Sequence, residues 1–384
     1  MRDVVRICAL LLAVTGAAPG APRPRARDLR IPFEGTPGPE NAITDVAGVE
    51  VGHTTLISGE GKLHVGRGPV RTGVSAILPR GRNSSSEAVF AGWFSQNGNG
   101  EMTGTAWIEE SGFLEGPVLL TNTHSVGVVR DAAIAWRIRQ GGADASGYWW
   151  SLPVVAETWD GSLNDINGFH VRPEHVFSAL AGAASGKVAE GSVGGGTGMI
   201  CYGFKGGIGT SSRRLPAAHG GATVGVLVQC NCGRRPQLRI AGVPVGAEIP
   251  LTPEERKELG SIIIVVATDA PLLPHQLKRL TRRATMGLAR TGSVSGNGSG
   301  DIFLAFSTAN PGAWKEREKP LALTMLPNEA MDPLFEATVQ ATEEAIVNAM
   351  VAADTMVGID GHRVAGIPHD RLRALFEKYG RLVR

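Results

Sequence analysis

Short apolar runs broken by glycine and proline dominate residues 31–150. "VEVGHTTLI", "VSAILP" and "GPVLLTNTH" have the length and β-branched content of strands. From Asp131 to Gln140 the spacing changes: Ala132, Ala133, Ala135 and Ile138 gather on one side, which predicts a helix. "LPVVAETWDG" reads as a buried strand running into a turn, and "ATVGVLVQ" as another buried strand. "PEHVFSALAGAASG" predicts a helix closed by Gly186.

The stretch "LTPEERKELGSIIIVVATDAP" carries the sharpest change of pattern. Thr252 suits an N-cap, Pro253 the first helical position, and Glu255 completes a capping box. Gly260 fits the left-handed position that ends a helix. Ser261 to Ala267 then reads as a strand covered on both faces, because its apolar residues are continuous rather than alternating. Pro274 opens a long helix with Leu277, Leu280, Ala284 and Leu288 at steps of three or four. "DIFLAFST" predicts a strand, and Pro333 to Ala353 a helix capped by Asp332. Repeats at solenoid periods are absent. The mixture predicts layered sheets with helices outside, in an α/β chain with no linker composition between domains.

Composition narrows the setting. A length of 384 residues permits a sizeable core, and 52 glycines with 5% aromatics suit tight α/β packing. A formal net charge of +2 gives no global field for nucleic acid or an anionic membrane. The first residues differ: Arg2 and Arg6 flank a short basic start, and Ile7 to Ala18 is apolar but too short to span a bilayer. Small residues follow, with Ala18 and Gly20 placed for cleavage before Ala21. Residues 1–20 therefore read as a secretory signal peptide, which predicts a secreted or periplasmic mature protein with no membrane span. Beyond Cys8 only Cys201, Cys230 and Cys232 remain. That odd count argues against a disulfide framework and for buried thiols.

Several motifs invite chemistry and resist it. "GSVGGGTG" lacks the Lys-Ser/Thr of a phosphate loop and the context of a dinucleotide fingerprint. It and "KGGIGTSSR" read as tight backbone, at a turn or beside a ligand. "HVRPEH", with His170, Glu174 and His175, misses metalloprotease spacing by one residue, and Pro173 interrupts a helix there, so no metal is expected. In "RTGSVSGNGSGD" none of Ser293, Ser295 and Ser299 has the two flanking glycines of a nucleophile elbow. Ser299 and Asp301 do alternate at period two, so they can point the same way. Lys278, Arg279, Arg282 and Arg283 read as the solvated side of a helix.

Gly260-Ser261 admits two accounts. One is a helix cap followed by the start of a strand. The other is self-cleavage, in which the serine hydroxyl attacks the carbonyl before it. Glycine there removes hindrance and tolerates the backbone such an attack needs. Hydrolysis of the resulting ester leaves Ser261 as a new N-terminus. Its α-amine, with an ordinary pKa near ~7.7–8.0, can serve as a general base.

Across essentially the whole chain from "IPFEGTPG" to "GIPHDRL", the sequence resembles the self-processing P1 (S58) peptidases. These are the L-aminopeptidase/D-esterase/amidase and β-peptidyl aminopeptidases of the N-terminal-nucleophile type. The likeness rests on "AETWDGSLNDINGFHV", "GGGTGMICYGFKGGIGTSSR", "AGVPVG", "GSIIIVVATDAPLLPHQLKRL" and "NGSGDIFLAFSTAN". It implies a layered α/β/β/α sandwich, N-terminal-nucleophile-hydrolase-like. It also implies cleavage into an α chain (21–260) and a β chain (261–384) forming one structural domain, and a homotetramer of such units. Ser261 would be the nucleophile, Ser299 the second serine, and Asp301 the acidic partner where some relatives carry glutamate. Asn231 in "VQCNCG" would help form the oxyanion hole. Glu157 in "AETWDG" would hold a substrate's ammonium, with Trp159 standing where some relatives have tyrosine. The activity implied is an aminopeptidase acting on short peptides, amides or esters without metal or organic cofactor. Two rivals stay open: transfer of the acyl group to an amine, and an uncleaved, non-catalytic binding protein.

Overall fold

The computed structural model describes residues 23–141, 150–251, 260–315 and 318–383. Among these, the strands of the two main sheets are β1 (Glu50–Ser58), β2 (Val70–Arg82), β3 (Val89–Gly98), β4 (Phe113–Leu114) and β5 (Val118–Asn122) in the first part of the chain. They continue as β6 (Val154–Thr158), β7 (Gly207–Arg214), β8 (Thr223–Cys230), β9 (Ile262–Thr268) and β10 (Gly300–Ser307). One sheet has the order β1-β2-β5-β6, the other β4-β3-β10-β9-β8-β7. Helices α1 (Val126–Gln140) and α2 (Pro173–Ala181) lie on the first sheet. Helices α3 (Pro274–Arg290) and α4 (Asp332–Val351) lie on the second. The result is four layers, α/β/β/α.

The side-chain pattern of β9 explains the layering. Ile262, Ile264 and Val266 pack with Leu277, Leu280, Ala284 and Ala345 under the outer helices. Ile263, Val265 and Ala267 face the opposite way, against Leu120, Val154 and Ala156 of the other sheet. A strand between two apolar layers needs no polar face, which is why its sequence does not alternate. The side chains from Ile262 to Val266 are fully buried, each worth about 1.5–3 kcal/mol of transfer free energy. A third cluster seals the first sheet under α1 and α2, through Val74, Leu119, Val155, Val129, Val176 and Leu180.

Two parallel strand pairs place the chemistry. In β5–β6, Thr121 lies opposite Glu157. In β9–β10, Ile262 lies opposite Asp301. Strand β8 flanks β9 antiparallel, with Cys230 opposite Ile262, and the Asn231 N–H continues the ladder onto the Ser261 carbonyl at 3.0 Å. The ends of β5 and β6 thereby meet the beginnings of β9 and β10 at one end of the sandwich.

The glycine run at 194–196 is the close approach its composition suggests. A Cβ on Gly195 would sit 2.2 Å from Gln229 Oε1 and 2.7 Å from the Leu120 carbonyl, so the backbone there touches both sheets. Four local expectations need correction. Helix α2 ends at Gly182, before Gly186, which is left-handed (φ +88°) in the loop beyond. Asp332 is the first residue of α4 rather than its cap, a place held by Met331. Gly260 is not left-handed. Cys201 and Cys230 form a disulfide, leaving Cys232 as a buried thiol. An odd cysteine count restricts a framework but does not forbid one bridge between segments that the sheet brings together. The leader at 1–20 and the helix expected over 252–259 lie outside the described residues.

Candidate active site

Ser261 stands immediately before β9 and is 7% exposed. Its carbonyl is held by the Asn231 N–H, and its Oγ accepts from the Gly300 N–H at 2.9 Å. Neighbouring strands therefore fix both the backbone and the hydroxyl. Ser299 Oγ lies 2.5 Å from the Gly260 carbonyl oxygen and 2.6 Å from Asp301 Oδ1. The period-two reading of Ser299 and Asp301 holds, and aspartate is long enough to make the contact. Asp301 is fully buried. Loss of solvent pushes its carboxyl above the ordinary range, while the Ser299 and Ser295 hydroxyls and the Ile262 N–H pull it back.

Gly260 is glycine for space rather than for φ. A Cβ there would lie 1.6 Å from the Asn231 carbonyl oxygen and 3.1 Å from Asn231 Nδ2. Asn231 itself is buried and doubly anchored. Its Oδ1 accepts from the Ile200 N–H at 2.7 Å, and its Nδ2 donates to the Trp159 carbonyl at 2.9 Å. These partners fix which end of the amide is which, and one Nδ2 proton remains for another acceptor.

A cavity of about 430 Å³ opens on Ser261. Asn99, Gly100, Glu101, Thr123, Glu157, Trp159 and Gly298 line the rest of it. Glu157 is the penultimate residue of β6 and is buried, with Oε1 accepting from the Glu101 N–H at 3.0 Å and Oε2 from the Thr123 hydroxyl. Desolvation raises its carboxyl, against the Thr123 and Glu101 hydrogen bonds. Trp159 is 44% exposed and forms part of the wall. A carboxylate and a hydroxyl sharing one small cavity can hold a cation while attacking a carbonyl attached to it.

The structure thus brings together Gly260, Ser261, Ser299, Asp301, Asn231, Glu157 and Trp159. Thr123 and the Gly300 N–H escaped the sequence reading. Both sit where a strand meets a loop, and the pairing of parallel β5 and β6 was the signal that puts Thr123 beside Glu157. His170 and His175 are occupied elsewhere: His170 Nε2 meets Asp165 Oδ2 at 2.8 Å, and His175 Nδ1 accepts from the Arg172 N–H at 3.0 Å.

Four layers with a serine at the head of a central strand define a variant of the amino-terminal-nucleophile hydrolase fold. Comparison with known proteins agrees. Residues 41–364 match the profile of Peptidase family S58. The beta-peptidyl aminopeptidase BapA of Sphingosinicella microcystinivorans is 55% identical over 98% of this chain and 97% of its own. BapA of Sphingosinicella xenopeptidilytica is 50% identical over 97% and 95%. Among solved structures, the L-aminopeptidase D-Ala-esterase/amidase of Ochrobactrum anthropi superposes with a TM-score of 0.87 at 50% identity. It covers 94% of this chain and 100% of that one, and is described as a prototype serine aminopeptidase with a variant Ntn hydrolase fold. A Burkholderia sp. beta-aminopeptidase gives 0.86 at 49% identity, over 93% and 99%. The chain belongs to peptidase family S58, and it is a hydrolase of the aminopeptidase class.

Proposed function

We propose that the protein matures by cutting itself between Gly260 and Ser261 and then uses Ser261 to release N-terminal residues from short peptides, amides or esters. The observation that carries this reading is the convergence on one peptide bond. The Gly260 carbonyl oxygen meets Ser299 Oγ at 2.5 Å, and the adjoining Ser261 opens into a cavity that also holds a buried carboxylate.

In maturation, Ser261 Oγ bonds to the Gly260 carbonyl carbon and the C–N bond breaks. The hydroxyl proton passes to the departing nitrogen. Water then hydrolyses the ester, leaving a Gly260 carboxylate and a free Ser261 amine. Ser299 and the spare Asn231 proton stabilise charge on the carbonyl oxygen, donors worth about 2.7–4 kcal/mol each. In turnover, the Ser261 amine takes the hydroxyl proton as Oγ attacks the substrate, and returns it to the leaving amine. Water releases the acyl group. Glu157 pairs with the substrate's ammonium, so only a residue at a free N-terminus sits with its carbonyl at Ser261.

The names of the two BapA relatives and of the Burkholderia neighbour support a β-amino residue at that N-terminus. The exposed face of Trp159 would set its side-chain limits. The reading includes export by the leader at 1–20, work in the periplasm or outside the cell, and a homotetramer of cleaved units. Intact mass and N-terminal sequencing of the purified protein beside Ser261→Ala test it. Two chains, one beginning Ser-Ile-Ile-Ile, with the mutant whole, are expected; an uncut wild type refutes self-processing.

A further inference from the structure

The three cysteines of the mature chain surround Asn231. Cys230 and Cys232 are its neighbours in sequence, and their sulfurs are 3.9 Å apart. Cys201 follows Ile200, whose N–H orients the Asn231 side chain at 2.7 Å. The Cys201–Cys230 disulfide therefore ties the segment that holds the amide to the segment that carries it. A backbone bond adds to the clasp, from the Tyr202 N–H to the Cys232 carbonyl at 2.7 Å. All three sulfurs are buried. Burial also pushes the Cys232 thiol up, so the bridge faces a protonated and poorly nucleophilic neighbour.

We propose that the Cys201–Cys230 crosslink positions the Asn231 amide, so that self-processing and turnover reach full rate only in an oxidised protein. The inference rests on the reading of Asn231 as an oxyanion donor. Without the bridge, Ile200 is joined to Asn231 through non-covalent contacts alone, and the two segments can slide. Displacement of about 1 Å at a reacting group costs on the order of 100-fold in rate. The ammonium contact is separate, because Glu157 is carried by β6 on the other sheet and, among the described residues, only the Trp159 carbonyl links the Asn231 amide to the cavity wall. The expected signature is therefore a fall in kcat with KM kept. Reduction by a dithiol takes two electrons and two protons into the bridge. It leaves two cysteine thiols and a cyclic disulfide of the reductant.

The test compares wild type, Cys201→Ala, Cys232→Ala and Asn231→Ala. The extent of processing is followed by intact mass, and kcat and KM are measured on an amino-acid amide. Alkylation and peptide mapping of residues 199–233 report the thiols. Cys201→Ala should lower kcat about tenfold or more with KM within about twofold, and slow processing. Cys232→Ala perturbs the same buried cluster without touching the bridge and should change kcat less than about threefold. Should Cys201→Ala fail to fold, wild type reduced by dithiothreitol, its two new thiols verified by mapping, supplies the same comparison. An unchanged kcat in the bridge-free protein, or three free thiols in the active wild type, overturns the proposal. Unchanged kcat in Asn231→Ala overturns the oxyanion reading instead.

Discussion

Gly260→Ala is the most discriminating single perturbation, because it adds one methyl group and removes nothing. The new Cβ would stand 1.6 Å from the Asn231 carbonyl oxygen and 2.6 Å from its carbonyl carbon. Both are backbone atoms beside a bond to Ser261, so no rotamer change relieves the contact. Reaching even a 3.0 Å separation requires a retreat of roughly 1.4 Å. The strain of such overpacking is about 1–3 kcal/mol, which a domain of this size survives. The catalytic effect is larger. A shift of that size moves the Gly260 carbonyl away from Ser299, and misplacement by about 1 Å costs around 100-fold. The assay is the cleaved fraction against time, read by intact mass after purification, with far-UV circular dichroism to confirm the fold. Processing slowed by about 100-fold is expected. Cleavage at the wild-type rate in a folded Gly260→Ala protein would show that the close approach of Gly260 to Asn231 has no part in the reaction.

Other perturbations separate the remaining roles. Ser299→Ala removes the hydroxyl that faces the Gly260 oxygen, and self-cleavage should slow about 100-fold or more, measured in the same mass assay. Glu157→Gln should raise KM for substrates with a free ammonium by about 10- to 100-fold, and much less for N-acylated analogues. In wild type the acid limb of kcat/KM should lie above the ordinary carboxylate range, since burial raises Glu157 and only its ionised form holds the ammonium. The Ser261 amine, as general base, adds a second acid limb that stays in Glu157→Gln, so a profile that still shows the lower, carboxylate limb in that variant would refute the assignment. Asp160, buried beside Trp159, has its carboxyl pushed up to about 7 by desolvation. Between its unfolded value and about 7 the folded state binds the extra proton, so stability falls as pH rises through that window. Asp160→Asn should flatten this slope in urea unfolding followed at pH 5 and pH 8.

Much of this was legible in the residues. The continuous apolar run after Ser261 announced a strand buried on both faces, and clusters on either side of β9 show that it is one. The alternation of Ser299 and Asp301 announced a shared direction, and they touch at 2.6 Å. What stayed hidden depends on contacts between distant segments. Gly260 reads as a helix terminator because glycine after "EERKEL" usually is one. The true constraint is the Asn231 carbonyl, 29 residues earlier, and no local pattern encodes it. Pairing of Cys201 with Cys230 is invisible for the same reason, since it follows from where β8 ends. Gly182 ends α2 ahead of Gly186 because two glycines compete nearby and composition does not rank them.

The proton count at Ser299 ties the local geometry to the chemistry. One hydroxyl proton faces two oxygens, the Gly260 carbonyl at 2.5 Å and Asp301 Oδ1 at 2.6 Å. With Asp301 ionised, one of these contacts sets lone pair against lone pair. With Asp301 protonated, its O–H donates to Ser299 Oγ, and Ser299 donates to the carbonyl oxygen. Full burial of Asp301 favours that neutral form, and desolvation is the largest influence on it. In the proposed self-cleavage this relay would end on the atom where negative charge grows as Ser261 attacks, so its donors would strengthen along the reaction coordinate. The proposed cleavage would reverse the balance. The Gly260 carbonyl would become part of a departing chain end, and an amine would appear at Ser261, one residue before the position paired with Asp301. A cation there favours the ionised carboxylate, and Ser299 can turn its proton toward Asp301. On this proposal the same three side chains suit two successive tasks, because the cut itself would supply the charge that resets them.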